Sequence, residues 1–549
     1  MRDRVNASRK LVAGENVSSA MSERTSQSAS FDAIVVGSGL GGLTAGALYA
    51  RTGTRVLLLE RNKSFGGAAT TYHRGALTVE ASLHETTHPD APGDPKHAVF
   101  AALGLEDDIE LVPVGSFQEV RCPLIGSPFV LPHGLDAVGK ALSSRFPDNA
   151  RAIRNFLRQV ERTLRLGEFG EHDLVWRLAH AGELPLDAWA LIRDIGASLS
   201  DVFERYFGAN EAIKFALCPN LPYYADDPEN FWWLGYAMAQ SGYLRGGGYY
   251  IKGGSQVLSD RLAGIIREEG GQTLTGAEAT GILIGPDGSA AGVRYRTGDG
   301  AEDIAQAPVI FANAAPHVVT GMLPADRRED FLAPFKDRKP SISLISATLG
   351  LNRKPSELGL TSYSTMLIPD WMKRFADYRD SAALFAEMPG ERMPAACVVD
   401  YDRIDSGLAM DGVYPVNIVC PDRFTNWAGL DDPAYHARKG AWLDALIARL
   451  ESEWPGFASA VVEKTMATAR TLHDYLNTPE GAVYGFALEP PKGAPKGPPL
   501  NVQTSVDGLW LASAFAGFGG FTGAMGAGAA AARAALKHRK SAVGSSIDH

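Results

Sequence analysis

The chain has 549 residues, 45% of them hydrophobic and 21% charged, enough apolar material for large cores and for two or more domains. Its formal net charge of -10 and pI near 5.7 exclude a general nucleic-acid binder, which needs a basic footprint for the phosphates. Cys122, Cys218, Cys397 and Cys420 are far apart and form no Cys-x-x-Cys pair, as expected of a reducing, cytoplasmic setting.

Residues 1–30 are polar and Ser-rich ("NVSSAMSERTSQSAS") without an apolar h-region, and read as a disordered leader rather than a signal peptide. A buried-strand run follows, Ala33 to Val36, and then Gly37, Gly39 and Gly42 in G-x-G-x-x-G spacing at the start of a helical pattern. The first glycine allows a tight turn, the second lets backbone approach a pyrophosphate, and the third lets helix pack on strand. A second strand, Arg55 to Leu59, ends in Glu60, eighteen residues after Gly42, where an acid can accept hydrogen bonds from ribose hydroxyls. These residues leave NAD and FAD both open. The extra close-approach pair Gly66-Gly67 favours FAD, with its longer diphosphate reach.

His84-Glu85-Thr86-Thr87-His88 matches H-E-x-x-H, in which a helix sets two histidines around zinc. The context argues against that helix: two adjacent β-branched threonines, Pro89 immediately after, and a strand-like alternation in the preceding "ALTVEASL". No metal site is expected, so a zinc hydrolase is the weaker alternative, and His84 or His88 instead lines a substrate cavity. No G-x-S-x-G elbow supports acyl-transfer hydrolysis.

Further along, "CPNLPYYADDPENFWWLGYAMAQSGYL" is dense in aromatics, and Tyr223, Tyr224, Phe231, Trp232, Trp233 and Tyr236 suit either the wall of an apolar tunnel or an ordinary aromatic core. From Gly242 a Gly-rich turn enters an amphipathic helix (Val257, Leu258, Leu262, Ile265, Ile266), followed by strands separated by the turn "GPDGS". Lys252-Gly253-Gly254-Ser255 lacks the order of a P-loop.

Three segments together resemble the FAD-dependent phytoene desaturase, carotenoid isomerase and retinol saturase family. "YYIKGGSQVLSDRL" is similar to its Tyr-Tyr-x-x-Gly-Gly-Ser-Gln segment, "VIFANAAPHVV" to its strand ending in Asn-Ala-x-Pro, and "YLNTPEGAVYGFAL" to its Pro-x-Gly-x-x-Tyr-Gly segment. The similarity runs from about Phe31 to Leu536 and is closer to the isomerase and saturase branch. It implies an α/β fold: a Rossmann-type FAD-binding domain assembled from residues 31–95, 245–315 and 495–540, with a mixed-sheet substrate domain from 96–244 and 316–494 and a flexible tail at 541–549.

The uncharged stretch from Gly508 to Ala532 is long enough to cross a bilayer, but its six glycines between Leu509 and Ala532 suit backbone packed on a cofactor better. The resemblance makes it the strand, turn and helix that meet the isoalloxazine, with Phe518 and Thr522 where the family carries Gly and Pro, and Phe521 in place of a small aliphatic. It implies FAD contacts at Gly37, Ser38, Gly39, Gly41, Gly42, Glu60, Arg61, Gly66, Gly67, Ala68, Ala279, Asn313, Ser513, Gly520, Ala524 and Met525, and places His84, Arg245 and Phe521 at the substrate. The expected activity is desaturation or saturation of a long apolar chain by hydride transfer, or redox-neutral double-bond isomerisation. The expected partners are a carotenoid, retinoid or unsaturated acyl lipid and a membrane surface touched peripherally, with no nucleic acid.

Overall fold

Ala33–Val36 and Val56–Glu60 are buried along their whole length, as strands covered on both faces by helices must be. In the computed structural model, which describes residues 29–91, 93–168, 182, 189, 192–492 and 501–545, they form the middle of a five-stranded parallel sheet. The strand order is Gln272–Thr275, Val56–Glu60, Ala33–Val36, Ile310–Ala312, Leu509–Leu511. Chain segments hundreds of residues apart therefore build one sheet, and the fold is the expected α/β class. The second strand starts at Val56 rather than Arg55, because Arg55 turns outward and its amide is bonded to Asp32.

The first helix, Leu40–Ala50, packs against the last, Gly520–Ser545, with contact close enough that a Cβ on Gly528 would strike the carbonyl of Gly41. "GPDGS" forms the expected turn between the antiparallel strands Ala277–Ile284 and Ala290–Thr297 of a four-stranded sheet.

A seven-stranded sheet, mostly antiparallel, is made from residues 118–131 and 343–467. One face packs on the helix Asp432–Glu453 through Trp427, Trp442, Leu446 and Leu450. The large core of the molecule runs continuously from the parallel sheet to the other face. The leader expected at 1–30 falls, up to residue 28, outside the described residues, as do residues 546–549 of the expected tail.

Candidate functional site

Gly37 adopts φ +88°, a conformation that disfavours any side chain, and Gly39 is the N-cap of the first helix with no side-chain cap on the helix's leading amides. A Cβ on Gly39 would lie 2.5 Å from Asn313 Oδ1, and one on Gly41 would strike the Ala512 carbonyl and come within 2.9 Å of Asn313 Nδ2. Asn313 Nδ2 also donates to the Ala512 carbonyl at 2.5 Å, tying the fourth strand to the fifth beneath the loop. Gly66 bridges to Gly39, and Gly67 approaches Gly39 Cα so closely that its own Cβ would sit at 3.4 Å. Gly42 completes the set, packed over the Gly37 carbonyl and Val35. The loop is bare backbone backed by uncapped helix amides, the form that receives a dinucleotide's phosphates.

Glu60 Oε2 accepts from Ser38 N at 2.9 Å and Ser38 Oγ at 2.5 Å, and Oε1 from Asn62 N at 2.7 Å. Those bonds orient the carboxylate and leave an acceptor site on Oε1. Arg61 turns elsewhere: its guanidinium donates to the carbonyls of Asp474 and Tyr475 at the end of the helix Ala469–Leu476. Ala68 accepts from Ser82 Oγ, Ala279 lies on the strand leaving the sheet edge, and Ser513 Oγ donates to the Ala314 carbonyl.

The Tyr-Tyr-x-x-Gly-Gly-Ser-Gln segment has a structural account in Glu80, a fully buried carboxyl. It accepts from Thr71 Oγ1, Ser82 N, Leu83 N, Tyr250 OH, Ser255 N and Ser255 Oγ. Gly254 fits there because its Cβ would meet Thr71 Oγ1 and stand 3.0 Å from Glu80 Oε2. Glu80 thus locks the hairpin 71–80 to the helix Ser255–Glu268. Glu80→Ala strands several buried donors, and we expect a loss of about 3 kcal/mol of stability, measured by urea denaturation; a loss below about 0.5 kcal/mol would contradict this role.

Around the start of the last helix the burial pattern changes. Gly517 to Ala524 are all half-buried, while Phe515, Ala516 and Met525 on either side are buried. On one side the turn packs against Tyr484, whose Cβ and backbone leave no room for a side chain on Gly519, while Gly485 packs against Ala514. On the other side, Lys96 Nζ donates to Asp94 Oδ2 at 2.8 Å, Thr87 Oγ1 at 2.8 Å and Thr522 Oγ1 at 2.5 Å. Phe521 and Ala524 are half-buried in this turn, Met525 is fully buried below it, and Gly520 takes φ +75°.

The H-E-x-x-H segment is not helical; Thr86 forms an isolated bridge with Tyr249, so His84 and His88 do not share a helix face. His88 sits edge-on to Tyr249 at 4.8 Å, while His84 is buried against Tyr223 and Tyr401. Among the described residues no group of three His, Cys, Asp or Glu is placed to hold a metal. Burial lowers the His84 pKa to about 4, so its imidazole is neutral, and neither ring nitrogen has a partner. Three successive carbonyls here each accept a buried tyrosine hydroxyl: Leu83 from Tyr401 at 3.1 Å, His84 from Tyr363, and Glu85 from Tyr243 at 3.3 Å. Arg245 stands in the last turn of the helix Trp233–Gly246. Trp233 and Tyr236 pack with Phe156 and Phe203 in a helical aromatic core, whereas Tyr223 and Tyr224 are half-buried. Glu85, Lys96 and Tyr484 were not singled out by sequence reasoning. Two of them carry a signal: Glu85 is the second residue of the H-E-x-x-H match, and Tyr484 belongs to the Tyr-Gly of the third family segment.

The family of NAD(P)-binding Rossmann-like domains matches residues 35–92, the glycine loop and the strand that ends in Glu60. All-trans-retinol 13,14-reductase of Homo sapiens is 24% identical over 490 residues, covering 83% of this chain and 77% of that protein. Chloroplastic prolycopene isomerase of Daucus carota is 24% identical over 508 residues, covering 89% and 78%. The neurosporene-forming phytoene desaturase of Rhodobacter capsulatus is 25% identical over 503 residues, covering 88% and 89%. Cyclohexylamine oxidase from Brevibacterium oxydans shares the fold at a TM-score of 0.58 and 16% identity, covering 93% of this chain and 99% of that one. A putrescine oxidase shares it at 0.59 and 14%, with the same coverage. The chain is a relative of the phytoene desaturase, prolycopene isomerase and retinol reductase proteins, as its three segments imply.

Proposed function

We propose that this protein is an FAD-dependent enzyme acting on carbon–carbon bonds of a long apolar chain of the carotenoid, retinoid or unsaturated acyl type. The observation that carries the reading is the half-buried turn Gly517–Ala524, packed against Tyr484 on one side and held by Lys96 and Thr87 at Thr522 on the other, in a chain whose relatives are named for such substrates. The residues present fit a flavin dinucleotide: uncapped amides and side-chain-free backbone at Gly37, Gly39 and Gly41 for the diphosphate, Glu60 for the ribose, and the first turn of the last helix for the isoalloxazine. The flavin supplies the means to accept or return a hydride.

The protein's own part is to orient and to exclude water. Tyr223, Tyr224 and Tyr484 offer flat apolar walls on which an extended chain can lie, and Thr87 with Lys96 fixes the helix turn across which it passes. We take residues 31–95, 245–315 and 495–540 as the flavin domain and 96–244 with 316–494 as the substrate domain. Such a chain has little solubility in water, so we place the enzyme in the cytoplasm, drawing substrate from a bilayer surface. No helix among the described residues is long and apolar enough to cross a membrane.

The test is the visible spectrum of the purified protein before and after FAD addition. A bound-flavin spectrum that bleaches on reduction is expected. A colourless protein that takes up no flavin would refute the reading.

A further inference from the structure

We propose that Glu85 is the proton donor of this site, a neutral carboxylic acid that protonates a double bond of the bound chain. This rests on the apolar-chain reading above and adds a direction to it.

The geometry comes first. Glu85 is held in place by its neighbours' backbone rather than by its own side chain. The carbonyls of residues 83, 84 and 85 are each fixed by a tyrosine hydroxyl, and Thr86 is bridged to Tyr249. With the backbone clamped, the carboxyl is left unpaired. Oε2 is sealed over Gly248, where a Cβ would strike it, next to Val114. It has no hydrogen-bond partner, and no ion pair to Glu85 is found among the described residues. The residue as a whole is still half-buried, so part of it remains accessible. Thr87, two residues on, contacts Thr522 at 3.4 Å in the first turn of the last helix, which places Glu85 on the wall facing that turn.

A buried, unpaired carboxyl is costly to keep ionised, and such a group takes up a proton instead. Desolvation raises the Glu85 pKa to about 8. The groups around it do not offset this. Tyr224, Tyr243 and Tyr363 are themselves pushed up by burial and stay neutral, as does the Cys397 thiol. Tyr484 is pushed up in the same way, and neighbouring His84 is neutral. None of the other groups can give a proton as readily. The Tyr243 hydroxyl is spent on the Glu85 carbonyl, and Lys96 is bound to Asp94, Thr87 and Thr522.

In the step, the Glu85 O–H bond breaks and a C–H bond forms at one end of a double bond, leaving a cation delocalised along the conjugated chain. Loss of a proton from the carbon on the far side, back to the Glu85 carboxylate, restores the acid and moves the double bond with no net electron transfer. Where the chain is reduced instead, a bound reduced flavin would supply the electron pair, and the Glu85 carboxylate recovers its proton from solvent. At neutral pH Glu85 starts mainly as the acid, which favours double-bond migration or saturation over desaturation, in which it would have to start as the base.

The test compares the parent with Glu85→Gln and Glu85→Asp. Asp400 and Asp422 are also raised by burial, to about 7 and about 6, so the readout is the infrared difference between the parent and Glu85→Gln at neutral pH: a protonated-carboxyl stretch present only in the parent is expected, and a difference spectrum without it overturns the proposal whether or not flavin is bound. With prolycopene, all-trans-retinol and linoleic acid as probes in heavy water, the parent is expected to place a deuteron on product carbon. Glu85→Gln should lose turnover by about 100-fold or more, with flavin content and melting temperature unchanged, and Glu85→Asp should restore part of it. Parental turnover and labelling in Glu85→Gln overturn the proposal. A parent that consumes no probe overturns the apolar-chain reading, and with it the double bond as the proton's destination.

Discussion

Gly39→Val is expected to leave a folded chain that no longer retains flavin. The valine Cβ would sit 2.5 Å from Asn313 Oδ1, so Asn313 has to leave the Ala512 carbonyl it now holds at 2.5 Å. Its two methyls would then stand where the diphosphate must approach the backbone. Both effects act on the same loop, and together they should weaken flavin binding by at least roughly tenfold, about 1.4 kcal/mol. The measurement is flavin released per chain on denaturation, with circular dichroism as the control for folding. Parental flavin content in the variant would show that this loop does not carry the cofactor.

Lys96→Met is expected to be among the most destabilising single changes in the protein. The Lys96 and Asp94 side chains are only 3% and 5% exposed, and the ammonium joins three parts of the chain: the loop at Thr87, the start of the helix Lys96–Leu103, and Thr522 on the last helix. Burial lowers the Lys96 pKa and Asp94 works against that shift, so the charge survives only because of its partner. Removing the ammonium leaves the Asp94 carboxylate buried without a cation, which costs about 3–5 kcal/mol. A Lys96→Met, Asp94→Asn double variant should recover much of that loss, because the orphaned charge goes with its partner. Urea denaturation of the two variants and the parent measures both effects. Equal stability of Lys96→Met and the parent would mean that the pair is open to solvent.

The glycine loop was legible in the sequence because its chemistry is local: strand, three glycines, helix, strand and acid follow one another within thirty residues or so, and the parallel sheet holds them in that order. The segment around Ser255 was legible as a pattern but not as a cause, since its partner Glu80 lies 175 residues earlier. Glu85 shows the opposite failure. In the sequence it stands inside an H-E-x-x-H match, where the pattern offers it only as the base of a zinc site, whereas what distinguishes it is the missing partner at its carboxyl, and that exists only after Gly248, Tyr243 and Tyr363 have been brought around it. Trp233 and Tyr236 were ambiguous for a related reason. A wall and a core use the same aromatic residues, and only the helices carrying Phe156 and Phe203 decide that these two are core.

The parallel sheet also dictates when the molecule can be made. Its fourth strand, Ile310–Ala312, is flanked by Ala33–Val36 on one side and by Leu509–Leu511 on the other. At a synthesis rate of about 5–20 residues per second, the first strand waits roughly half a minute to a minute and a half on the ribosome before the last one exists. Throughout that wait the apolar runs "AIVV" and "VLLLE" have edges or faces without their final cover. The nascent chain is therefore a natural client for chaperones. Premature termination before Leu509 would remove the edge strand Leu509–Leu511, the last of the five to be synthesised, so truncated chains should aggregate rather than accumulate as a smaller folded unit.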